Sequence, residues 1–378
     1  MEFRDLKKQY KVLKDQIDAG IAEVLSGARF ISGPQVKELE QQLAEYVGVK
    51  HCITCANGTD AITLGLMAWG IGEGDAVFVP DFTFFSSGEC PAYEGATPIY
   101  VDVERETFNM DPVKLEQAIK RVIADGHYHP RAVISVDLFG CPADYTRIRP
   151  ICEKYGLYLL EDGAQGFGGA INGKRACAFG DISTTSFFPA KPLGCYGDGG
   201  AIFTDNDEWA ALIRSLTIHG KNGSDKYDNI RIGMNSRLDT LQAAILLPKL
   251  EAFRRYEVAD VNAVAVKYTA RLEGSCLELP RNPENFVSSW AQYTVILPEN
   301  IDRAALQAYM KNAGIPTMVY YPKPMHLQGA FTGTVSAVAD CPVTEYLCSH
   351  VLSLPIHPYM QDEDIETVCN TLLGYVNG

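Results

Sequence analysis

Strand and helix signals alternate between residues 51 and 204, and this alternation restricts the fold more than any other feature of the chain. Short apolar runs occur at residues 51–56, 76–79, 98–103, 132–138, 157–160, 183–187 and 201–204. Several of them are separated by segments with helical periodicity, such as residues 145–154. Strands separated by helices of this length predict a mainly parallel sheet with both faces covered. We therefore expect an α/β fold whose ligands bind in the loops at the carboxyl ends of the strands.

The second part of the chain has a different pattern. Residues 238–272 indicate long helices interrupted around Pro248, and apolar runs at 290–297 and 317–321 flank a helical segment at 302–312. A chain of 378 residues is also too long for one ordinary core. We expect a large domain over residues 1–250 and a small α+β domain over residues 251–378.

Charge and cysteine content exclude several classes of protein. The chain has 33 basic and 47 acidic residues and a net charge of −14, whereas a general nucleic-acid binder needs a basic surface. Its apolar stretches are far shorter than the ~20 residues that span a bilayer, and no apolar segment typical of a signal peptide follows Met1. Eleven scattered cysteines fit the reduced thiols of a cytoplasmic protein. Cys52 and Cys55 lack further zinc ligands at a suitable spacing, so we expect no metal site.

The sequence motifs of several common enzyme classes are absent or incomplete. No G-x-G-x-x-G follows a predicted strand, and no G-x-S-x-G is present. Residues 168–174 have the spacing of a phosphate-binding P-loop, but Arg175 stands where a magnesium-binding Ser or Thr is required. The sequence therefore disfavours NAD-dependent, ATP-dependent and serine-hydrolase activities.

Residues 161–200 contain the densest group of candidate functional residues, at the ends of two predicted strands. Asp162 ends one strand and Gln165 follows it, while Ser186 and Lys191 lie in the sequence S-F-F-P-A-K after another. A site for pyridoxal phosphate (PLP) needs an amine nucleophile that forms a Schiff base. It also needs a carboxylate that keeps the pyridine nitrogen protonated, so that the ring acts as an electron sink. Lys191 and Asp162 can supply these two groups.

The other parts of a PLP site are present near predicted strand ends as well. Gly58 and Thr59 begin the helix after the first strand, where backbone N–H groups and a hydroxyl can hold a phosphate. Ser186 can add a second hydroxyl, and Phe84, in a loop after a strand, can stack on the ring. The sequence therefore predicts a PLP site that joins these loops.

Composition and spacing alone leave a structural alternative open for each of these residues. Lysines in glycine-rich loops are usually solvated, and Asp162 fits a helix cap. Thr59 and Ser186 fit local hydrogen bonds, Phe84 fits a core position and Gln165 fits the surface.

Eight short motifs occur in order along nearly the whole chain. They are FISGP at 30–34, ANGTDA at 56–61, PDFTF at 80–84, EDGAQ at 161–165, SFFPAK at 186–191, GDGG at 197–200, NSRLD at 235–239 and SLP at 353–355. In this combination they resemble the DegT/DnrJ/EryC1/StrS nucleotide-sugar aminotransferases, which have the aspartate-aminotransferase (type I) fold. The resemblance implies PLP as the cofactor, Lys191 as the Schiff-base lysine and Asp162 as the partner of the pyridinium nitrogen.

The resemblance also implies roles that spacing does not. Gln165 matches a glutamine on the side of the ring hydroxyl, and Asn235 matches an asparagine that reaches the cofactor phosphate from the neighbouring subunit. Arg237 matches an arginine near the sugar. Tyr320 stands near the sugar where histidine is common in relatives, and Gly163 replaces a usual alanine. We therefore expect a homodimer with shared active sites.

The sequence at 187–200 is most similar to the branch that aminates UDP-2-acetamido-2-deoxy-3-keto-hexuronic acids with glutamate, for surface polysaccharides such as lipopolysaccharide O-antigen. A 4-keto-6-deoxy nucleotide sugar is the alternative acceptor, and the exact sugar, carbon and nucleotide stay open. Related sugar dehydratases carry histidine at the Schiff-base position, so Lys191 disfavours that activity. A PLP-binding regulatory protein without turnover is a further alternative, and a scaffold that binds no cofactor is another.

A locally basic segment precedes the motif that contains Arg237. Residues 219–238 have four basic side chains, Lys221, Lys226, Arg231 and Arg237, against two acidic ones, Asp225 and Asp228. This excess on an acidic chain is expected for a segment that meets an anionic ligand, although a solvated loop is the simpler explanation. Arg237 is the candidate for a substrate carboxylate, because its planar guanidinium can form two parallel hydrogen bonds.

Overall fold

A mixed sheet lies at the centre of the protein in a computed structural model that describes residues 1–223 and 227–377. Lys226 and Asp225 of the basic segment lie outside the described residues. The strands up to residue 204 are β1 (His51–Cys55), β2 (Asp75–Pro80), β3 (Thr97–Val101), β4 (His129–Val136), β5 (Tyr158–Asp162), β6 (Ala170–Ile171), β7 (Lys174–Arg175), β8 (Ile182–Ser186) and β9 (Gly200–Thr204). Seven of them form the sheet, in the order β1-β9-β8-β5-β4-β2-β3.

The five strands from β8 to β3 are parallel, and β9 runs antiparallel to both of its neighbours, β8 and β1. This topology confirms the predicted α/β fold with a mainly parallel, mixed sheet. Some strand ends differ from the prediction by a few residues. For example, β4 extends from His129 to Val136, whereas the predicted run was 132–138.

Twelve α-helices surround the sheet or follow it within the described residues. They are α1 (Leu6–Gly27), α2 (Pro34–Val47), α3 (Gly58–Ala68), α4 (Ser86–Tyr93), α5 (Pro112–Asp125), α6 (Tyr145–Tyr155), α7 (Asp207–Leu216), α8 (Thr240–Ala252), α9 (Val258–Leu272), α10 (Arg303–Asn312), α11 (Pro342–His350) and α12 (Asp362–Val376). Local sequence explains several helix starts. Asp111 accepts hydrogen bonds from the N–H groups of Val113 and Lys114, and Pro112 occupies the first helical position, where no N–H partner is needed.

Both faces of the sheet are buried, which explains why its strands appear as continuous apolar runs. In β2, Val77 and Val79 pack on one face in the same cluster as Ile134. Phe78 packs on the opposite face with Val133. Successive side chains of a strand point to opposite faces, so a strand covered by helices on both sides needs apolar residues throughout.

The C-terminal part has an apolar cluster of its own. It joins α9, α10 and α12 to a two-stranded antiparallel sheet of β11 (Tyr293–Ile296) and β12 (Val351–Leu354), while β10 (Phe286–Val287) pairs with β6. The strand predicted within 290–297 and the helix predicted at 302–312 are confirmed. Residues 317–321 form only an isolated bridge, between Met318 and Ser353. The domain boundary at residue 250 stays a prediction.

The long helical segment after residue 238 is interrupted later than predicted. Pro248 lies inside α8, and the irregularity is a π-helical turn at Phe253–Glu257 that joins α8 to α9. Pro248 removes one backbone N–H donor without ending α8, whereas the π-helical turn is wider than the α-helix on either side of it and ends at buried Glu257.

All eleven cysteines are free, and every one except Cys276 is buried. Among the described residues, no helix combines the length and apolar character needed to cross a bilayer.

Candidate active site

A cavity of about 680 Å³ opens at the carboxyl ends of β5 and β8, beside the first turn of α3. Its position is the one expected for a ligand of a parallel sheet. Eight of the predicted site residues line it: Gly58, Thr59, Phe84, Asp162, Gln165, Ser186, Lys191 and Tyr320. Residues that are up to 262 positions apart in the sequence numbering, from Gly58 to Tyr320, thus meet at one cavity.

Asp162, the last residue of β5, is held by two hydrogen bonds. The Ser87 hydroxyl donates to Oδ2 over 3.0 Å, and the backbone N–H of Ala164 donates to Oδ1 over 3.2 Å. Burial raises the pKa of Asp162, and the Lys191 charge opposes this rise. The carboxylate is therefore fixed in orientation and balanced by a nearby cation.

Lys191 is half-buried and lines the same cavity. Burial lowers the pKa of the Lys191 ammonium, while Asp162 acts in the opposite direction. A lowered pKa makes the neutral amine more available, and the neutral amine is the form that attacks a carbonyl group. Lys191 and Asp162 thus have the chemistry of a Schiff-base lysine and of a carboxylate that pairs with a cationic ring.

The first turn of α3 faces Ser186 closely. Asn57 caps this helix by accepting a hydrogen bond from the N–H of Asp60, so the turn is well formed. A methyl group at Gly58 would lie 2.8 Å from Cβ of Ser186, and glycine is therefore required for this close approach. Free backbone N–H groups and the hydroxyls of Thr59 and Ser186 make this corner a suitable phosphate cradle.

Gln165 is oriented by two hydrogen bonds to distant parts of the chain. The N–H of Phe139 donates to its Oε1 over 2.8 Å, and its Nε2 donates to the Tyr321 hydroxyl over 3.0 Å. One hydrogen of Nε2 remains for a ligand in the cavity. Gln165 is thus buried in the cavity wall and not on the surface, which agrees with the position beside the ring hydroxyl that the resemblance implies.

Phe84 lies on the loop after β2, and 52% of it is exposed. Its ring centroid is 6.3 Å from that of Tyr321. An aromatic ring at the cavity that is not covered by the protein's own core is available to a flat ligand, which disfavours the core alternative for Phe84.

Asn235 and Arg237 do not line this cavity in their own chain. Nη2 of Arg237 donates to Oδ1 of Asn235 over 2.6 Å, and Arg237 borders a separate cavity of about 540 Å³ together with Arg214 and Lys37. The resemblance places Asn235 at the site of a neighbouring subunit and Arg237 near the sugar, and both placements stay predictions.

Three cavity-related residues were not selected from the sequence. Ser87 holds Asp162, Tyr321 holds Gln165, and Gln292 lines the cavity with a buried Oε1 that has no hydrogen-bond partner among the described residues. Tyr321 directly follows Tyr320, which the sequence analysis predicted as a site residue. This proximity in sequence could have identified Tyr321. Ser87 has no such signal, because Asp162 is distant in sequence, and Gln292 lies in none of the motifs that the sequence analysis singled out.

Two fully buried carboxyl groups lie behind the cavity. Glu161 accepts hydrogen bonds from backbone N–H groups and a hydroxyl within residues 177–183, and Asp137 accepts one from the Tyr145 hydroxyl over 2.8 Å. Burial, followed by the Glu161 charge, raises the pKa of Asp137 well above its ordinary range. Burial also raises the pKa of Glu161, so the charged form of each carboxyl group is disfavoured. The N–H of Asp137 donates to the carbonyl of Asp162, so this pair supports the end of β5.

A second polar group fastens the loop after β2 to the C-terminal part. Asp81, His326 and Cys341 each place a potential metal-ligand atom within 4.8 Å of the others, and all three are buried. The Asp81 carboxylate is already bonded to the backbone N–H of His326 at 2.8 Å and to its Nδ1 at 2.6 Å. The Asp81 hydrogen bond raises the pKa of His326. These hydrogen bonds attach the loop that contains Phe84 to the segment around His326 and thereby position the loop.

Comparison with known proteins decides the family. Residues 11–373 match the DegT/DnrJ/EryC1/StrS aminotransferase family. The chain belongs to this family. PLP is the cofactor of the family, and the amine, the buried carboxylate and the phosphate cradle described above fit it.

Individual relatives agree with this assignment. The chain is 46% identical, over 372 residues, to the UDP-2-acetamido-2-deoxy-3-oxo-D-glucuronate aminotransferase of Pseudomonas aeruginosa, covering 98% of this chain and 99% of that protein. A DegT DnrJ EryC1 StrS aminotransferase from Brucella abortus has a solved structure with a TM-score of 0.96 and 45% identity, with 100% of each chain covered. The ntda protein of Bacillus subtilis, solved with bound cofactor PMP, gives a TM-score of 0.87 at 31% identity, covering 96% of this chain and 82% of that one. These neighbours confirm the type I fold.

Proposed function

We propose that this protein is a PLP-dependent aminotransferase that transfers the amino group of glutamate to a UDP-linked 3-keto sugar. The sugar is of the 2-acetamido-2-deoxy-3-keto-glucuronic acid type, and the amino sugar serves surface polysaccharide such as lipopolysaccharide O-antigen. The observation that carries the proposal is the meeting of half-buried Lys191 and buried Asp162 at one cavity beside the first turn of α3. The Pseudomonas relative, named for such a substrate, supports the choice of sugar.

The proposed roles follow from the chemistry of each side chain. Bound PLP supplies an electron sink for the carbon that loses its proton. Lys191 would take that proton from the amino-acid carbon on Nζ and give it to C4′ of the cofactor, two bonds away, since its lowered pKa lets the amine act as base and then as acid. Asp162 holds a proton on the pyridine nitrogen, and Ser87 and Ala164 keep its carboxylate in place.

The remaining wall residues bind and orient. Gly58, Thr59 and Ser186 hold the phosphate, with Ser186 limited in position by its close approach to Gly58. Phe84 covers one face of the ring, and Gln165 directs its free N–H toward the ring hydroxyl.

We further propose a cytoplasmic homodimer in which Asn235 and Arg237 complete the site of the partner subunit. Both lie away from their own cavity, within a segment that has an excess of basic residues. Asn235 reaches the phosphate, and Arg237 reads the carboxylate of the uronic acid. Tyr320 forms the wall on the sugar side.

A two-step assay tests the function. The protein is converted with glutamate to its pyridoxamine form, and this form is then mixed with a panel of nucleotide keto-sugars. We expect loss of the absorbance of the lysine-bound cofactor in the first step and its return with the UDP-linked 3-keto uronate in the second. Return only with a 4-keto-6-deoxy sugar would move the protein to another branch of the family. If glutamate causes no change in absorbance, a regulatory protein is favoured. A product that has lost a hydroxyl group and gained no amino group would favour a dehydratase.

Two variants test the residues in that assay. Lys191→Ala should neither give the absorbance of the lysine-bound cofactor nor turn over, and normal turnover would contradict its role. Lys174→Ala, which removes an exposed lysine, is the matched control and should behave as the wild type. Asp162→Asn should bind the cofactor weakly and lose turnover, because a neutral amide does not hold the pyridine nitrogen protonated.

A further inference from the structure

Residues 1–5, which precede α1, contact Tyr320 of the cavity wall and the residue that follows Lys191. The ring of Phe3 meets the ring of Tyr320 edge-on, with centroids 6.3 Å apart. Nη2 of Arg4 donates to the carbonyl of Pro192 over 3.0 Å, and Pro192 directly follows Lys191. Two consecutive side chains thus connect the wall on the sugar side to the loop of the reactive lysine.

The segment is fastened to the body of the protein just beyond these contacts. Asp5 caps α1 by accepting from the N–H of Lys8, and Gln9 donates to Oε1 of buried Glu257 over 2.8 Å. Glu257 lies in the π-helical turn between α8 and α9 and also accepts from the Tyr359 hydroxyl at 2.5 Å. Residues 1–5 therefore have a defined place against the cavity wall.

Arg4 also acts on Lys191 through charge. Burial lowers the pKa of Arg4, and Glu257 and Tyr359 act in the opposite direction. The Arg4 charge lowers the pKa of Lys191 in addition to burial, whereas Asp162 raises it. Among the described residues, the charged groups that shift the pKa of Lys191 are Asp162 on β5 and Arg4 on the segment before α1, and Asp60 and Asp198 also line the cavity.

We propose that Phe3 and Arg4 are positioning residues of the active site, and that residues 1–5 brace the Lys191 loop against the Tyr320 wall. Arg4 fixes the backbone next to Lys191 and keeps a positive charge near its amine. Phe3 fixes the ring of Tyr320 where the sugar enters. The inference rests on the proposed function, because it assigns effects on the same lysine and the same sugar side.

Absorbance spectroscopy of the PLP-loaded protein tests the proposed effect of Arg4 on Lys191. In Arg4→Gln the side chain keeps an N–H donor for Pro192 but loses its charge. We expect the pH at which the absorbance of the lysine-bound cofactor changes to rise by about half a unit or more, because removal of a cation favours the protonated form. Arg4→Lys should restore most of the wild-type value. Lys7→Gln, which removes an exposed cation nearby, is the matched control and should cause no shift.

Kinetics of the two half-reactions, measured separately, test the proposed role of Phe3 in positioning Tyr320. Phe3→Ala should raise KM for the keto-sugar by about two- to tenfold, the equivalent of one lost aromatic pair, with the glutamate half-reaction unchanged. Phe3→Tyr should keep the wild-type KM. Equal losses in both half-reactions would indicate a purely structural role and overturn the proposal for Phe3, and an unshifted pH midpoint in Arg4→Gln would overturn it for Arg4.

Different results would contradict the proposed function and the proposed role of residues 1–5. If the wild-type protein mixed with PLP develops no lysine-bound absorbance, the proposed function itself is wrong. If the wild type develops it, and the Phe3 and Arg4 variants match the wild type in pH midpoint and in KM, only the brace is wrong. Thermal melting of each variant shows whether a loss comes from unfolding instead, and the conservative Arg4→Lys and Phe3→Tyr variants then decide.

Discussion

Replacing Ser87 with alanine removes one of the two hydrogen-bond donors that hold the Asp162 carboxylate. Ser87 is fully buried, so no bulk water replaces the lost donor directly. A hydrogen bond to a charged group contributes about 1.5–3 kcal/mol. Since one pKa unit corresponds to about 1.36 kcal/mol, the pKa of Asp162 should rise by about 1–2 units in Ser87→Ala, beyond the rise that burial already causes.

Binding of pyridoxamine phosphate to the cofactor-free protein measures this shift. The ligand forms no bond with Lys191, and its protonated ring nitrogen requires an ionised Asp162. Its affinity should fall as Asp162 is protonated. The pH midpoint of this fall, followed by fluorescence titration, should therefore move upward by about 1–2 units in Ser87→Ala. At higher pH, where Asp162 is ionised in both proteins, the two affinities should converge.

Two controls sharpen the comparison. Ser135→Ala makes the same change at a buried serine on β4 whose hydroxyl has no hydrogen-bond partner among the described residues, and it should leave the midpoint unchanged. In an Asp162→Asn background, Ser87→Ala should have no effect on the pH profile. Coincident midpoints for the wild type and Ser87→Ala would refute the reasoning, because the hydroxyl would then not stabilise the charged form of Asp162.

Three further predictions concern substrate reading, the dimer and the buried carboxyl pair. Arg237→Ala should lower kcat/KM for the uronate by roughly 30- to 1000-fold, from about 2–4 kcal/mol, and far less for a neutral hexose analogue; an equal loss with both would remove its role in reading the carboxylate. Mixing inactive Lys191→Ala chains with inactive Asn235→Ala chains should restore part of the activity, because one site of each mixed dimer is then intact; mixed dimers without activity would count against shared sites. Asp137 has a raised pKa in the folded protein, so the stability that it contributes is complete below its unfolded pKa of about 4 and is lost as pH rises through its folded pKa. Asp137→Asn keeps an acceptor oxygen for the N–H of Ala143 and the Tyr145 hydroxyl and does not ionise, so its melting temperature should fall less than that of the wild type between pH 5 and pH 8. Asp137→Ala should melt lower throughout, because it leaves these two buried donors without an acceptor, and equal melting of the two variants would contradict this role of Asp137.

Local sequence determined most of the architecture. The apolar runs of β2 and β4 predicted buried parallel strands, because a strand covered on both faces must be apolar throughout. Asp111 and Pro112 marked the start of α5 for local reasons of capping and backbone angle. Such signals depend on neighbouring residues alone. The start of β4 and the break after α8 were placed less well, because edges depend on packing as well as on local preference.

The sequence also placed the main site residues at strand ends, and a parallel sheet then brings such ends to one edge. Lys191 and Asp162 meet for this reason, and the order of motifs in the chain resembled a known family. The role of each of these residues in the proposed reaction nevertheless stays a prediction that the assays above address.

Only the tertiary structure decided which side chains support those residues. Ser87 holds Asp162 across 75 positions of sequence, and Tyr321 holds Gln165 across 156. Phe3 meets Tyr320 from the opposite end of the chain. A single sequence contains no signal for such pairs, because a hydrogen bond or a ring contact depends on distances that arise only after the whole sheet and its helices have packed.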